Sequence, residues 1–180
     1  MIAIMSTSLI ERLLALVQRR RELQVGAVLF RAGDPVRSLF LVAAGDMRLV
    51  RALPHGLQLT LQRAGPGTIL AEASLFAKRY HCEATAAARS LLGIVPLGRI
   101  EAALAEDAAF ARTWSRHLAH EVQNARAHAE ILSLKRVSER IDAWLVLNGD
   151  AVPPKGHWRQ MASEIGVTPE ALYRELAKRR

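Results

Sequence analysis

The sequence predicts an α+β chain: an N-terminal antiparallel β-roll, one long helix and a C-terminal helix-turn-helix. Three observations carry this. From Gly26 to Pro96 short apolar runs alternate with turn residues, and Gly33, Gly45, Gly56 and Gly67 recur every eleven or twelve residues, the rhythm of antiparallel strands joined by tight turns. From Leu97 to Asn148 there is no proline and one glycine, and Ala, Glu, Arg and Leu are dense, a composition that favours helix. The ending WRQMASEIGVTPEALYREL reads as a short helix, a glycine turn and a capped second helix.

Taken in order, Leu9, Leu13, Leu16 and Val17 repeat at helical spacing and predict a short amphipathic helix lying on the first domain. The strand segments are VGAVLF, LFLVAAGDMRLV, LQLTLQRA, TILAEASLF and LLGIVP, with turns at Ala32 to Pro35, Ala44 to Asp46, Pro54 to Gly56 and Gly65 to Gly67. In the helical half, Ala111, Ser115, Leu118, Val122, Ala125, Ala129 and Leu132 alternate steps of four and three, the spacing of a seam against another helix. Leu118, Val122, Ala125, Ala129 and Leu132 are its centre, and the small residues let two backbones approach closely. That seam serves either a homodimer or packing on the chain's own β-domain. Leu134, Val137, Ile141, Trp144 and Leu145 form a second stripe ended by Asn148 and Gly149 as a cap, and DAVPPKGH follows as a loop. The expected division is residues 1–106 as roll with its short helix, 107–134 as long helix, and 135–180 as helix-turn-helix unit.

The chain has 180 residues, 51% of them hydrophobic, enough for a real core. Its formal charge of +8 suits a polyanionic partner, nucleic acid or an anionic membrane surface. A single cysteine, Cys82, excludes an internal disulfide framework and any four-cysteine zinc or iron-sulfur site from this chain alone, which agrees with a reducing cytoplasm. The N-terminus has no basic segment before its apolar residues, and no apolar run approaches about 18 residues. A cytoplasmic protein with no membrane partner is expected.

Within the C-terminal unit, Met161, Ala162 and Ile165 face inward, Gly166 breaks the first helix, and Thr168 caps the second with Pro169 at its first position. Ala162 precedes Gly166 by four residues and Leu172 follows it by six, where such a motif needs a small contact and a buried aliphatic. The second helix of a helix-turn-helix enters the DNA major groove. Glu170 and Arg174 share a face: Arg174 suits guanine O6 and N7, and Glu170 accepts from cytosine N4. Tyr173 lies beside them, and Lys178, Arg179 and Arg180 suit phosphates. The competing reading makes Glu170 and Arg174 a solvated i,i+4 ion pair.

In this order of parts the chain resembles the cyclic-AMP receptor protein and fumarate-nitrate regulator (CRP/FNR) superfamily of bacterial transcription factors. The likeness rests on LFRAGD at Leu29 to Asp34, FLVAAGDMRLVR at Phe40 to Arg51, GPGTILAEASLF at Gly65 to Phe76, the long helix, and EIGVTPEALYREL at Glu164 to Leu176. It implies a cyclic-nucleotide-binding-like jelly roll, a homodimer, and a near-palindromic double-stranded operator read through Glu170 and Arg174, with RNA polymerase as a further partner. The family's usual β-hairpin wing is not evident before Arg180, and Glu175 stands where an aliphatic is common, leaving Leu176 to pack.

The same resemblance puts the effector pocket at Glu72, His81 and Cys82. Cyclic-nucleotide-binding relatives carry Gly-Glu, then Arg-Ser, where Glu accepts from the ribose hydroxyl and Arg pairs with the cyclic phosphate. Here Glu72 is present, Ala71 replaces the glycine, and Cys82 and Glu83 fall at the Arg-Ser positions. The lost arginine removes a contact worth about 1.5–3 kcal/mol, with Arg79 the nearest substitute. Dependence on cyclic AMP is therefore not expected. The His81-Cys82 pair invites haem, but neighbours on a strand point to opposite faces; a redox thiol needs a pKa lowered by Arg79 or His81. The simplest arrangement buries Tyr80, Cys82 and Ala84 and turns His81, Glu83 and Thr85 outward. No cofactor is expected, and the effector is unidentified.

An enzyme is not expected, since no phosphate-binding glycine loop, nucleophile elbow or metal-ligand cluster is present in the sequence; His117, His120 and His128 read as solvated or interfacial rather than metal-binding. Against the regulator stands a dimeric ligand- or redox-sensing module with a vestigial DNA-binding unit.

Overall fold

The computed structural model describes residues 2–52 and 58–179, with side chains over 9–51 and 60–179; the turn expected at Pro54 to Gly56 and the expected phosphate contact of Arg180 lie outside the described residues. The chain divides into two compact units, residues 1–117 and 118–180.

In the first unit, helix α1 (Ile2–Leu16) precedes strands β1 (Arg19–Leu23), β2 (Val28–Phe30), β3 (Ser38–Ala44), β4 (Met47–Ala52), β5 (Gln58–Ala64), β6 (Ile69–Leu70), β7 (Glu83–Ala86) and β8 (Ser90–Pro96), then helix α2 (Leu97–Glu106). Two antiparallel four-stranded sheets form, ordered β1-β8-β3-β6 and β2-β7-β4-β5. Strand β3 buries Leu39, Phe40, Leu41 and Val42 in succession. One of its faces meets the second sheet, where Phe40 stacks on Phe30 at 5.6 Å between ring centres. The other meets α1, whose Leu9 and Leu13 are each 1% exposed. Burial of each such leucine stabilises by about 1.5–3 kcal/mol.

Two glycines of the first unit are obligatory for close approach. Gly45 sits at φ +92° in the β3–β4 turn, where a Cβ would collide with Ser90 Oγ and the Arg89 carbonyl; Ser90 Oγ instead accepts from Asp46 N at 3.1 Å, locking this turn to the start of β8. Gly93 of β8 lies under Val17, whose Cγ2 would be 2.8 Å from a Cβ.

Two sequence expectations need correction. Residues 19–23 form a strand that the charged stretch RRREL did not suggest; its first four residues are exposed and only Leu23 is buried, as befits an edge strand blunted by charge. The segment TILAEASLF is not one strand, because Ala71 adopts a left-handed conformation (φ 71°) and a 3₁₀ turn follows at Glu72–Ser74.

The helical half is likewise interrupted, at Asp107 and again at residues 134–136, giving α3 (Ala108–Ser133) and α4 (Val137–Asn148). Asp107 causes the first break and starts α3: its Oδ1 accepts from the backbone N–H of Ala109 at 2.8 Å and of Phe110 at 2.9 Å, while Arg12 Nη1 donates to Oδ2 at 2.7 Å. The Phe110 N–H, joined by those of Ala109 and by Arg12, holds the Asp107 carboxyl below the usual carboxylate range.

The second unit contains the remainder of α3, then α4, a 3₁₀ turn (Lys155–His157), α5 (Trp158–Glu164) and α6 (Pro169–Ala177). Gly149 ends α4 at φ 92°. The core is Ile131, Ile141, Met161, Ala162, Ile165, Leu172 and Leu176, of which Ile141, Ile165 and Leu172 are wholly buried. Trp144 Nε1 donates to Glu164 Oε2 at 2.7 Å, tying α4 to α5.

Candidate functional site

Three sets of residues carry the expected chemistry. The first is α6. Thr168 Oγ1 accepts from Ala171 N at 3.2 Å, and Pro169 occupies the first turn, where no N–H is needed. This start, together with the buried Leu172 and Leu176, turns Glu170, Tyr173 and Arg174 outward. Among the described residues no ion pair joins Glu170 to Arg174, so the solvated-pair arrangement is not formed. Tyr173 packs its ring against Trp158, 5.3 Å between centres. Leu176 takes the packing role while Glu175 accepts from Lys178 Nζ at 3.1 Å.

A cleft of about 620 Å³ opens between the start of α4 and α6, with Arg136, Ser138, Arg174, Glu175 and Lys178 among its lining residues. Three of these are basic, beside the N-terminus of a twelve-residue helix, where backbone N–H groups favour anions. Arg179 is used differently from expectation: Nη1 pairs with Asp142 Oδ1 at 2.5 Å and Nη2 donates to the Ser138 carbonyl at 2.9 Å, so it braces α6 against α4.

Sequence reasoning missed Arg140. Its guanidinium donates to the carbonyls of Leu134 (2.8 Å), Ile165 (3.1 Å), Gly166 (3.1 Å) and Leu132 (3.1 Å). One side chain thereby fixes the end of α3 to the turn between α5 and α6. That turn needs Gly166, at φ +65°, where a Cβ would press on Leu132 Cδ2. The available signal was an arginine set within the apolar stripe of Val137, Ile141 and Trp144, a place that demands buried acceptors.

The second set is the α3 seam. Leu118 is half-buried, Ala125 and Ala129 are exposed, and Val122 and Leu132 are 49% and 43% exposed. An apolar stripe thus stands open on the single chain.

The third set is the expected effector pocket. Tyr80, Cys82 and Ala84 are 5%, 2% and 0% exposed, whereas His81 is exposed and Glu83 and Thr85 are half-buried. His81 and Cys82 therefore take opposite sides and do not converge on one iron. His81 Nδ1 lies 3.4 Å from the buried Ser74 Oγ. Burial pushes the Cys82 thiol pKa up; Arg51 acts against this and Glu72 adds to it, so the lowered pKa that a reactive thiol requires is not produced. Arg79 is exposed, and its Nη1 donates to the Gly33 carbonyl at 2.6 Å. Glu72 is half-buried on the 3₁₀ turn behind Ala71.

The first unit is thus a two-sheet antiparallel roll, and the second ends in a capped helix pair. Residues 20–107 match the cyclic nucleotide-binding domain family, and no curated protein sequence matches the chain. FixK2 from Bradyrhizobium japonicum shares 20% identity and a TM-score of 0.70, over 89% of this chain and 83% of its own. The c-di-GMP-responsive global regulator CLP of Xanthomonas campestris shares 20% identity and 0.65, over 96% and 90%. The catabolite activator protein of Thermus thermophilus shares 22% identity and 0.57, over 95% and 82%. The structural neighbours of the chain are CRP/FNR-family transcriptional regulators, whose fold it shares. Among the described residues no helix is long and apolar enough to cross a membrane.

Proposed function

We propose that this chain is a sequence-specific DNA-binding transcriptional regulator that binds a near-palindromic operator as a homodimer and does not depend on cyclic AMP. The observation that carries this is the outward face of α6: Glu170 and Arg174 are exposed and unjoined by an ion pair, on a helix whose opposite face is buried. A helix-turn-helix presents such a face to base edges, and the basic cleft of Arg136, Arg174 and Lys178 beside it suits the flanking phosphates. The open α3 stripe of Leu118, Val122, Ala125, Ala129 and Leu132 supports self-association. The buried, uncharged Cys82 and the neighbouring Glu83 support independence from cyclic AMP, because neither offers a cation to a phosphate.

The test is a salt titration of binding to a selected operator and to random duplex. A regulator prefers its operator by about a thousandfold or more; equal, salt-steep binding to both overturns the reading. Arg174→Ala costs about 1–3 kcal/mol in operator binding and relaxes preference at one base pair. Val122→Glu converts the dimer to monomer in sedimentation; a persisting dimer places the seam elsewhere. Cyclic AMP leaves operator affinity unchanged.

A further inference from the structure

The outer face of the second sheet carries two arginines side by side. Strand β4 sets Arg48 directly across from Arg63 of β5 on one side and from Thr85 of β7 on the other. Their chain neighbours Met47, Leu49, Ala64, Ala84 and Ala86 are buried in the roll, and successive side chains of a strand point to opposite faces. Arg48, Arg63 and Thr85 therefore stand together on the outside.

By themselves these groups are unfavourably placed. Like charges directly opposed on neighbouring strands repel, their Cβ atoms being about 4.5–5.5 Å apart. Arg63 is exposed and Arg48 half-buried. The Arg48 Nε is buried and has no acceptor among the described residues, although buried donors are nearly always bonded. Nor does an acid neutralise the pair. Glu83, two positions before Thr85 on the same face of β7, lies 3.9 Å from Arg31 instead, and among the described residues neither Arg48 nor Arg63 forms an ion pair.

An anion held between the two guanidiniums removes both costs, since it offsets the repulsion and supplies the acceptor. A carboxylate offers about four acceptor positions on two oxygens; two guanidinium forks and a hydroxyl call for more. A tetrahedral oxyanion provides them, and arginine is the side chain best matched to phosphate.

We propose that Arg48, Arg63 and Thr85 form a surface site for a phosphate group, carried by the free ion or by a phosphomonoester. The guanidiniums clasp its oxygens from adjacent strands, and the Thr85 hydroxyl donates to another. The site lies on the outer face, on the side of the sheet away from the buried Cys82. It belongs to the first unit alone and stands independently of operator binding.

Calorimetric titration and thermal unfolding of the full chain test it, with inorganic phosphate, phenyl phosphate and acetate at matched ionic strength. Phosphate binds saturably at one site per chain and raises the unfolding temperature, whereas acetate does neither. Tighter binding of phenyl phosphate identifies a monoester as the ligand, and weaker binding identifies the free ion. Arg48→Gln and Arg63→Gln each weaken binding about tenfold or more, while Arg20→Gln, at an exposed position of β1 in the other sheet, leaves it unchanged. Without phosphate, Arg63→Gln unfolds no earlier than the parent chain, because it relieves the repulsion. The general stabilisation that phosphate gives folded proteins persists in every variant and is separated from the site in this way. The proposal is overturned by absence of saturable binding of both phosphate probes, by equal binding of acetate, by binding that survives both arginine substitutions, or by equal weakening in Arg20→Gln.

Discussion

The surface of α6 and the mouth of the roll both present charged side chains, and they do so by opposite constructions. On α6 the groups come from neighbouring positions, 168 to 174, and stand in solvent; exposed charges there carry little desolvation cost. At the roll, Arg51, Glu72 and Cys82 come from three separate segments, and the charges of the first two act on the Cys82 thiol in opposite directions. The difference teaches where each is vulnerable. The α6 face depends on scaffolding beneath it, whereas the mouth of the roll depends on a register that a single-residue slip would reverse.

The largest expected effect lies in that scaffolding. Ile141 is wholly buried in the core of the second unit, and Ile141→Ala costs about 2–5 kcal/mol through lost burial and the cavity left. Hydrogen exchange would show faster exchange across α4, α5 and α6 with β3 and β8 unchanged. Equal loss in the roll would break the comparison by showing that the two constructions unfold together.

Next in size is Arg140→Leu, which strips the donors from four carbonyls at the end of α3 and in the turn before α6. The expected cost is about 2–3 kcal/mol. Arg140→Lys recovers only part, because an ammonium lacks the planar fork that reaches several acceptors at once. Full rescue by lysine would show that charge, not geometry, holds the turn.

The C-terminal construction was legible in the sequence because its determinants are local. Gly166, Thr168 and Pro169 each impose one backbone conformation at one place, and Ala162 and Leu172 are spaced from them along the chain. Arg140 escaped because an arginine in an apolar stripe announces buried acceptors without saying which. The roll was legible as a rhythm of strands and turns, but β1 was not, since RRREL lacks any apolar alternation. Arg51 was missed for a related reason: its action on the Cys82 thiol arises between separate segments and leaves no mark in the local sequence.

The smallest expected effect concerns Ala71. An L-residue in the left-handed region costs roughly 1–2 kcal/mol, which glycine avoids, although glycine loses about 0.5–1 kcal/mol more than alanine to chain entropy on folding. Ala71→Gly is therefore expected to stabilise the segment by at most about 1.5 kcal/mol, read as slower amide exchange at Leu70, Ser74 and Leu75. A faster exchange would mean that the Ala71 methyl, in a residue only 4% exposed, contributes more by packing than its backbone loses by strain.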